Sequence, residues 1–243
     1  MSNIVRIVVW NVEWAGIRSE RGGVIRDQIW TLDPDVVCIC EGTEDLLPTY
    51  GYRLVPALSY GPNAKLGCHK VMLWSKLPWI ASDALGSRDL PPGRFIQAST
   101  KTPVGAMSLF GICIPYQMAN VSFGYKNKKP WEDHSNYLAE LTSLLDQRQR
   151  NYPSVILGDF NQRVPRVRAP KKIYEQLSQT LGSDFRIVTK GVLSGLVAQG
   201  VNHCAVTNDL VASKVWGLPN MNEHGLRLSD HAGVVADLTL MET

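Results

Sequence analysis

The sequence predicts an α/β protein in which two β-sheets stack face to face and helices cover their outer faces. Three observations lead there. About ten apolar or β-branched runs read as strands, whereas only three segments carry a helical period. Many of those runs are continuously apolar, which suits strands buried on both faces. A sheet of about ten strands also tends to split into two packed sheets. No Gly/Ser linker, repeat or low-complexity stretch divides the chain, so one domain spanning residues 1–243 is expected.

In chain order the strand-like runs lie near 4–10, 35–40, 52–57, 70–75, 95–100, 107–114, 154–158, 185–189, 203–207 and 233–240. The first helix, around 20–32, places Val24, Ile25, Ile29 and Leu32 on one side. The second, 131–149, spaces Leu138, Leu141, Leu144 and Leu145 helically, and its early acids favour a start near Trp131 or Asp133. The third, 171–181, carries Ile173, Leu177 and Leu181, with Gly182 as a left-handed stop. Strand pairing and order do not follow from these patterns.

Composition excludes several classes. No apolar run is long enough to cross a bilayer, so no membrane partner is expected. Met1 to Arg6 lead straight into a strand without a signal-peptide pattern, which points to an intracellular, cytoplasmic protein. The five cysteines form no CxxC pair, which argues against a zinc or thioredoxin-like site and for free buried thiols. A net charge of +3 permits a phosphate-bearing partner without requiring one. The length suffices for a stable monomer, and a dimer stays open.

Four strand ends carry the chemistry. They are Ile7 to Asn11, Val36 to Glu41, Val155 to Asn161 and the turn Leu228-Ser229-Asp230-His231. Each alone is an ordinary strand end, where Asn, Asp and Gly serve turns. Together they supply what metal-assisted hydrolysis of a phosphate ester needs. Glu41 offers carboxylate oxygens, and Mg²⁺ commonly takes only one or two of these besides waters and substrate phosphate. Asp159 and Asn161 are two apart on extended backbone, so they share a side while Phe160 packs inward. The carboxylate can orient and deprotonate a water, and the amide can donate to a phosphoryl oxygen. Gly158 would allow a sharp turn and close approach of the phosphate. Asp230 can reach a metal while the adjacent His231 points another way, toward a phosphate oxygen. Asn11 can bridge a metal-bound water and a phosphate oxygen, and Glu13 is a second acid on its face.

These motifs resemble those of the endonuclease/exonuclease/phosphatase superfamily. The matching stretches are Val9-Trp10-Asn11-Val12, Asp33 to Glu41, Gly158-Asp159-Phe160-Asn161 and Ser229-Asp230-His231, spread over nearly the whole chain. The resemblance implies a four-layered α/β/β/α sandwich of two mixed sheets, dependence on Mg²⁺ or Mn²⁺, and in-line attack of water on phosphorus. It would place Asn11, Glu41 and Asp230 around the metal and give Asp159 the water. Asn161 would hold a phosphate oxygen, and His231 would stabilise the phosphorane.

Two departures qualify the resemblance. The family's strand before the last motif usually carries an Asp that pairs with the final His, and Asn202 stands there instead. An Asn can hold an imidazole by hydrogen bond but cannot stabilise its charged form. Either His203 or another acid compensates, or the site runs slower. Relatives also present a His or Tyr just before the Pro of the strand at 109–116, where this chain has Cys113. Tyr116, or His134 at a helix start, would stand in to touch the phosphate. His69 and Lys70 open another strand and are further candidates for that contact.

Five cations, Arg163, Arg166, Arg168, Lys171 and Lys172, follow the Asp159/Asn161 pair and can track a phosphate backbone. A second run, Lys126 to Lys129, lies between Tyr125 and Trp131 and suits base stacking, although charge runs are often solvated loops. The expected function is a divalent-metal phosphodiesterase acting on DNA or RNA. A phosphatase or phosphodiesterase for a small or lipid-derived ester would use the same residues, and an inactive binding module of the same fold is the third reading.

Overall fold

The computed structural model describes residues 3–61, 64–121 and 128–241. Its elements follow in the order β1 (Val5–Asn11), α1 (Glu20–Trp30), β2 (Val36–Thr43), a 3-10 turn (Glu44–Leu46), β3 (Tyr52–Leu54) and β4 (Cys68–Ser75). Then come β5 (Trp79–Asp83), β6 (Phe95–Thr102), β7 (Gly105–Cys113), α2 (Glu132–Asp146) and β8 (Ser154–Asp159). The last are α3 (Lys171–Leu181), β9 (Phe185–Ile187), β10 (Asn202–Thr207), β11 (Leu210–Leu218) and β12 (Gly233–Leu240). One six-stranded sheet has the order β11-β12-β1-β2-β4-β3, and the other β5-β6-β7-β8-β10-β9. Each sheet holds one parallel pair, β1 with β2 and β7 with β8; the other pairings are antiparallel. A helix connects the strands of each parallel pair, α1 in the first sheet and α2 in the second.

Two-residue alternation builds the layers. Val5, Ile7 and Val9 of β1 face the other sheet with Val36 and Cys38, and meet Leu109, Val155, Leu157 and Cys204. Val8 and Trp10 face the opposite way and receive Ile25 and Ile29 of α1. On the far side Phe110, Ile112 and Ile156 receive Leu138, Leu141 and Leu145 of α2 and Leu177 and Leu181 of α3. The result is the four-layered α/β/β/α sandwich that the resemblance implies.

All three predicted helices form, and Gly182 follows α3 with a φ of 57°. The differences fall on the sheet edges. β5 and β11 are edge strands absent from the predicted set, and the edge strands β3 and β9 are shorter than the predicted runs at 52–57 and 185–189. An edge strand lacks a second neighbour, so its residues need not be apolar. Residues 80–83 of β5 are exposed, and a bulge between Ala212 and Lys214 interrupts β11. Gly158 also differs from expectation. It lies inside β8 with φ 147°, and a Cβ there would meet the Ile112 carbonyl oxygen at 1.8 Å. Its bare backbone admits the neighbouring strand, not a phosphate. No described helix is long and apolar enough to cross a membrane.

Candidate active site

The sheets bring the four strand ends to one end of the sandwich. Asn11, Glu41 and Asp159 sit at or near the C-terminal ends of β1, β2 and β8, and His231 lies in the turn before β12. Ser229 fixes that turn: its Oγ donates to the Asn11 carbonyl at 2.7 Å and accepts from the His231 amide at 3.1 Å. Trp10 Nε1 donates to the His231 carbonyl at 2.9 Å, and Asn220 Nδ2 donates to the Ser229 carbonyl at 3.3 Å.

Asp159 is the centre of the arrangement. It is buried, and Asn11 Nδ2 and Asn161 Nδ2 each donate to its Oδ2 at 2.9 Å. The Asn161 amide donates to Oδ1 at 2.9 Å, closing an Asx-turn with Asn161 at φ 51°. His231 Nδ1 stands 3.6 Å from the same Oδ2, too far for a hydrogen bond. Burial raises the pKa of Asp159; His231 and the Asn11 hydrogen bond oppose the rise, and the charge of Glu41 adds to it. A carboxylate made more basic by burial and held by two amides suits proton abstraction. Asn161 departs from its expected role. Its second Nδ2 contact is the Ile114 carbonyl at 2.8 Å, so both its N–H groups serve the protein.

Glu41 has φ 47° and is half-buried, and its Oε1 accepts from Lys70 Nζ at 2.6 Å. Glu13 pairs with Arg21 at 3.2 Å and with Arg227 at 2.8 Å. Asp230 is exposed, with its Oδ2 3.6 Å from His231 Nε2, so the imidazole lies between two carboxylates and the two side chains do not point apart as expected. Among the described residues no three His, Cys, Asp or Glu side chains group as a metal cage. The donor set still fits a hard cation, because Glu41 and Asp159 interact across one site end and Mg²⁺ needs few protein carboxylates. Glu41 is the side chain that would hold it.

Several other expected residues lie elsewhere. Asn202 faces Asp159 in the β8–β10 register, yet its Nδ2 donates to the Ala232 carbonyl at 2.7 Å. It therefore holds the backbone beyond His231 and not the imidazole; Asn202 Oδ1 and His231 Nδ1 are both buried without a hydrogen-bond partner among the described residues. His203 does not compensate. It is buried, with Nε2 donating to the Gln162 carbonyl and Nδ1 against Thr189 Oγ1, each at 3.0 Å, and burial lowers its pKa to about 4. His134 is buried too, with Nδ1 donating to the Pro115 carbonyl at 2.8 Å and Nε2 accepting from Gln162 at 2.8 Å. Burial lowers its pKa to about 4, and no face is left for an anion. Cys113 is buried; its contact with Cys40, and then desolvation, push its thiol well above the ordinary range. His69 pairs with Glu44 at 2.7 Å, and Tyr116 is exposed.

Of the five loop cations, only Arg163 lines the cleft of about 140 Å³ that also contains Asn220, Asp230 and His231. Arg166 and Arg168 are exposed, and Arg166 donates to the Ala169 carbonyl at 3.1 Å. In the second basic run, Lys128 pairs with Glu132 and Asp133, while Tyr125, Lys126 and Asn127 lie outside the described residues. Sequence reasoning missed the Lys70–Glu41 pair and the clamps from Ser229 and Asn220. The pair comes from the β2–β4 register, which no local pattern reveals.

A four-layered sandwich whose parallel strands end together at one polar site defines the fold class, that of endonuclease/exonuclease/phosphatase structures. The chain has a TM-score of 0.69 and 16% identity with such a protein from Bacteroides vulgatus, covering 98% of this chain and 99% of that one. An AP endonuclease from Archaeoglobus fulgidus gives 0.69 and 15%, with 96% and 98% covered. The human Nocturnin catalytic domain gives 0.66 and 14%, with 99% and 96% covered. No family model and no curated protein matches the sequence.

Proposed function

We propose that this protein is a divalent-metal-dependent phosphodiester hydrolase acting on nucleic acid. The observation that carries the reading is Asp159, buried, clamped by Asn11 and Asn161, and 3.6 Å from His231. Asp159 takes a proton from the attacking water as the new P–O bond forms and the opposite ester bond breaks. His231 and Arg163 face the phosphoryl oxygens from the cleft wall. Asn161 and Asn11 hold the Asp159 carboxylate in one orientation. A Mg²⁺ or Mn²⁺ ion at Glu41 would supply charge neutralisation and polarise the phosphoryl group. Asp230, beside His231, is the second carboxylate available near the substrate. The AP endonuclease among the structures of like fold supports a polynucleotide substrate.

One observation favours a second reading. With Arg163 alone of the loop cations in the cleft, the same machinery would serve a small or lipid-derived phosphoester. A substrate panel separates them: plasmid, single-stranded DNA, an abasic duplex, RNA, bis-p-nitrophenyl phosphate and p-nitrophenyl phosphate, each with Mg²⁺, Mn²⁺ or EDTA. Metal-dependent cleavage of a polynucleotide is the expected result. Activity confined to the small esters moves the substrate to that class, and inactivity throughout contradicts both readings and favours a binding module.

A further inference from the structure

We infer that the Lys70 ammonium is a resident cation at the Glu41 carboxylate, competing there with a divalent metal; this rests on the proposed metal role of Glu41. Glu41 on β2 and Lys70 on β4 lie opposite each other, between the register pairs Cys40–Val71 and Gly42–His69. Lys70 Nζ donates to Glu41 Oε1 at 2.6 Å. The same Nζ lies 4.8 Å from the centre of the Trp14 ring and 5.6 Å from that of Tyr60. Those two rings stand 5.1 Å apart, tilted by 36°.

The ammonium thus has a carboxylate and two aromatic rings around it. An ordinary surface lysine pair is loosely held because a flexible side chain must be ordered to make it. Here the lysine side chain is only 15% exposed and its head meets two rings, which attract cations through their faces. A divalent ion arriving at Glu41 meets a carboxylate already neutralised and a like charge beside it. Metal binding then requires Lys70 to yield the oxygen it holds, or to accept a second cation close by. The geometry makes Lys70 a determinant of metal affinity without making it a ligand.

The test is Mn²⁺ binding to the full-length protein, followed by the electron paramagnetic resonance signal of the free aquo ion, with no substrate present. Wild type is compared with Lys70→Met, Lys70→Gln and Glu41→Gln, each checked for folding by circular dichroism. Lys70→Gln keeps a polar head and carries the comparison should Lys70→Met fail to fold. The expected result is Mn²⁺ affinity higher by about tenfold or more in the Lys70 variants, a ratio readily resolved as a free-energy difference. Binding in Glu41→Gln should be the weakest. Equal or weaker binding in the Lys70 variants, with Glu41→Gln still impaired, overturns the competition and leaves the metal role of Glu41 standing. Absence of binding in every protein overturns both.

Discussion

Asp159 joins the chemistry to a cost in stability. Burial raises its folded-state pKa above the ordinary carboxylate value of about 3.9. The folded state therefore holds the proton more tightly than the unfolded chain does. That contribution is present below about pH 3.9 and is lost as the pH rises through the folded pKa, so at neutral pH the ionised carboxylate destabilises the protein. Asp159→Asn in EDTA should raise the melting temperature at pH 7, with the gain shrinking as the pH falls through the raised folded pKa and levelling off below about pH 3.9. Thermal melts across that range check it; a lower melting temperature at pH 7 would show that hydrogen bonding to the carboxylate outweighs its desolvation. Glu41 gives the second residue-scale prediction. Glu41→Ala should lose metal affinity and hydrolysis rate together, and excess Mg²⁺ should recover part of the rate. A rate that no Mg²⁺ concentration improves would mark Glu41 as structural.

At the scale of elements, two buried histidines link packing to pH. His134 on α2 and His203 on β10 have pKa values lowered to about 4 by burial, against 6.5 when exposed. A depressed pKa stabilises the fold above the unfolded value, and that stability is lost as the pH falls through the folded pKa. Melting temperature should therefore fall between about pH 6.5 and pH 4, each shifted pKa unit being worth ~1.4 kcal/mol. A His134→Gln/His203→Gln variant should show a shallower slope over that window, and an unchanged slope would place the acid sensitivity elsewhere. In β8, Gly158→Ala would drive a Cβ to 1.8 Å from the Ile112 carbonyl oxygen at φ 147°. Its cost should exceed the ~1–3 kcal/mol of ordinary overpacking, read as a lower urea midpoint. The central strands and the three α-helices were legible because their apolar periods are strong: Val5, Ile7 and Val9 face one way, Val8 and Trp10 the other. Edge strands such as β5 were not, since residues 80–83 face solvent and carry no period. The candidate site was legible as motifs but not as contacts. Asn202 and His134 drew attention by residue type and position, whereas their partners, Ala232 and Pro115, depend on tertiary packing.

For the whole molecule, substrate choice rests on how charge surrounds the site. The net charge of +3 is small, and the exposed Arg166, Arg168, Lys171 and Lys172 stand outside the cleft that Arg163 lines. If the substrate is a polynucleotide, these cations meet its flanking phosphates. Neutralising all four should weaken nucleic-acid cleavage, lower the slope of log affinity against log salt by about 0.9 per lost phosphate contact, and leave a small diester unaffected. Equal salt slopes for wild type and variant would remove nucleic acid as the substrate that this loop recognises. Beneath that choice of substrate lies one proton transfer, from the attacking water to Asp159. The most direct test is the single-turnover rate of metal-dependent diester hydrolysis in wild type and Asp159→Asn at saturating Mn²⁺. A loss of ~10²–10⁴-fold with Mn²⁺ binding retained is the result predicted for a general base. An undiminished rate in the folded, metal-loaded variant would contradict it.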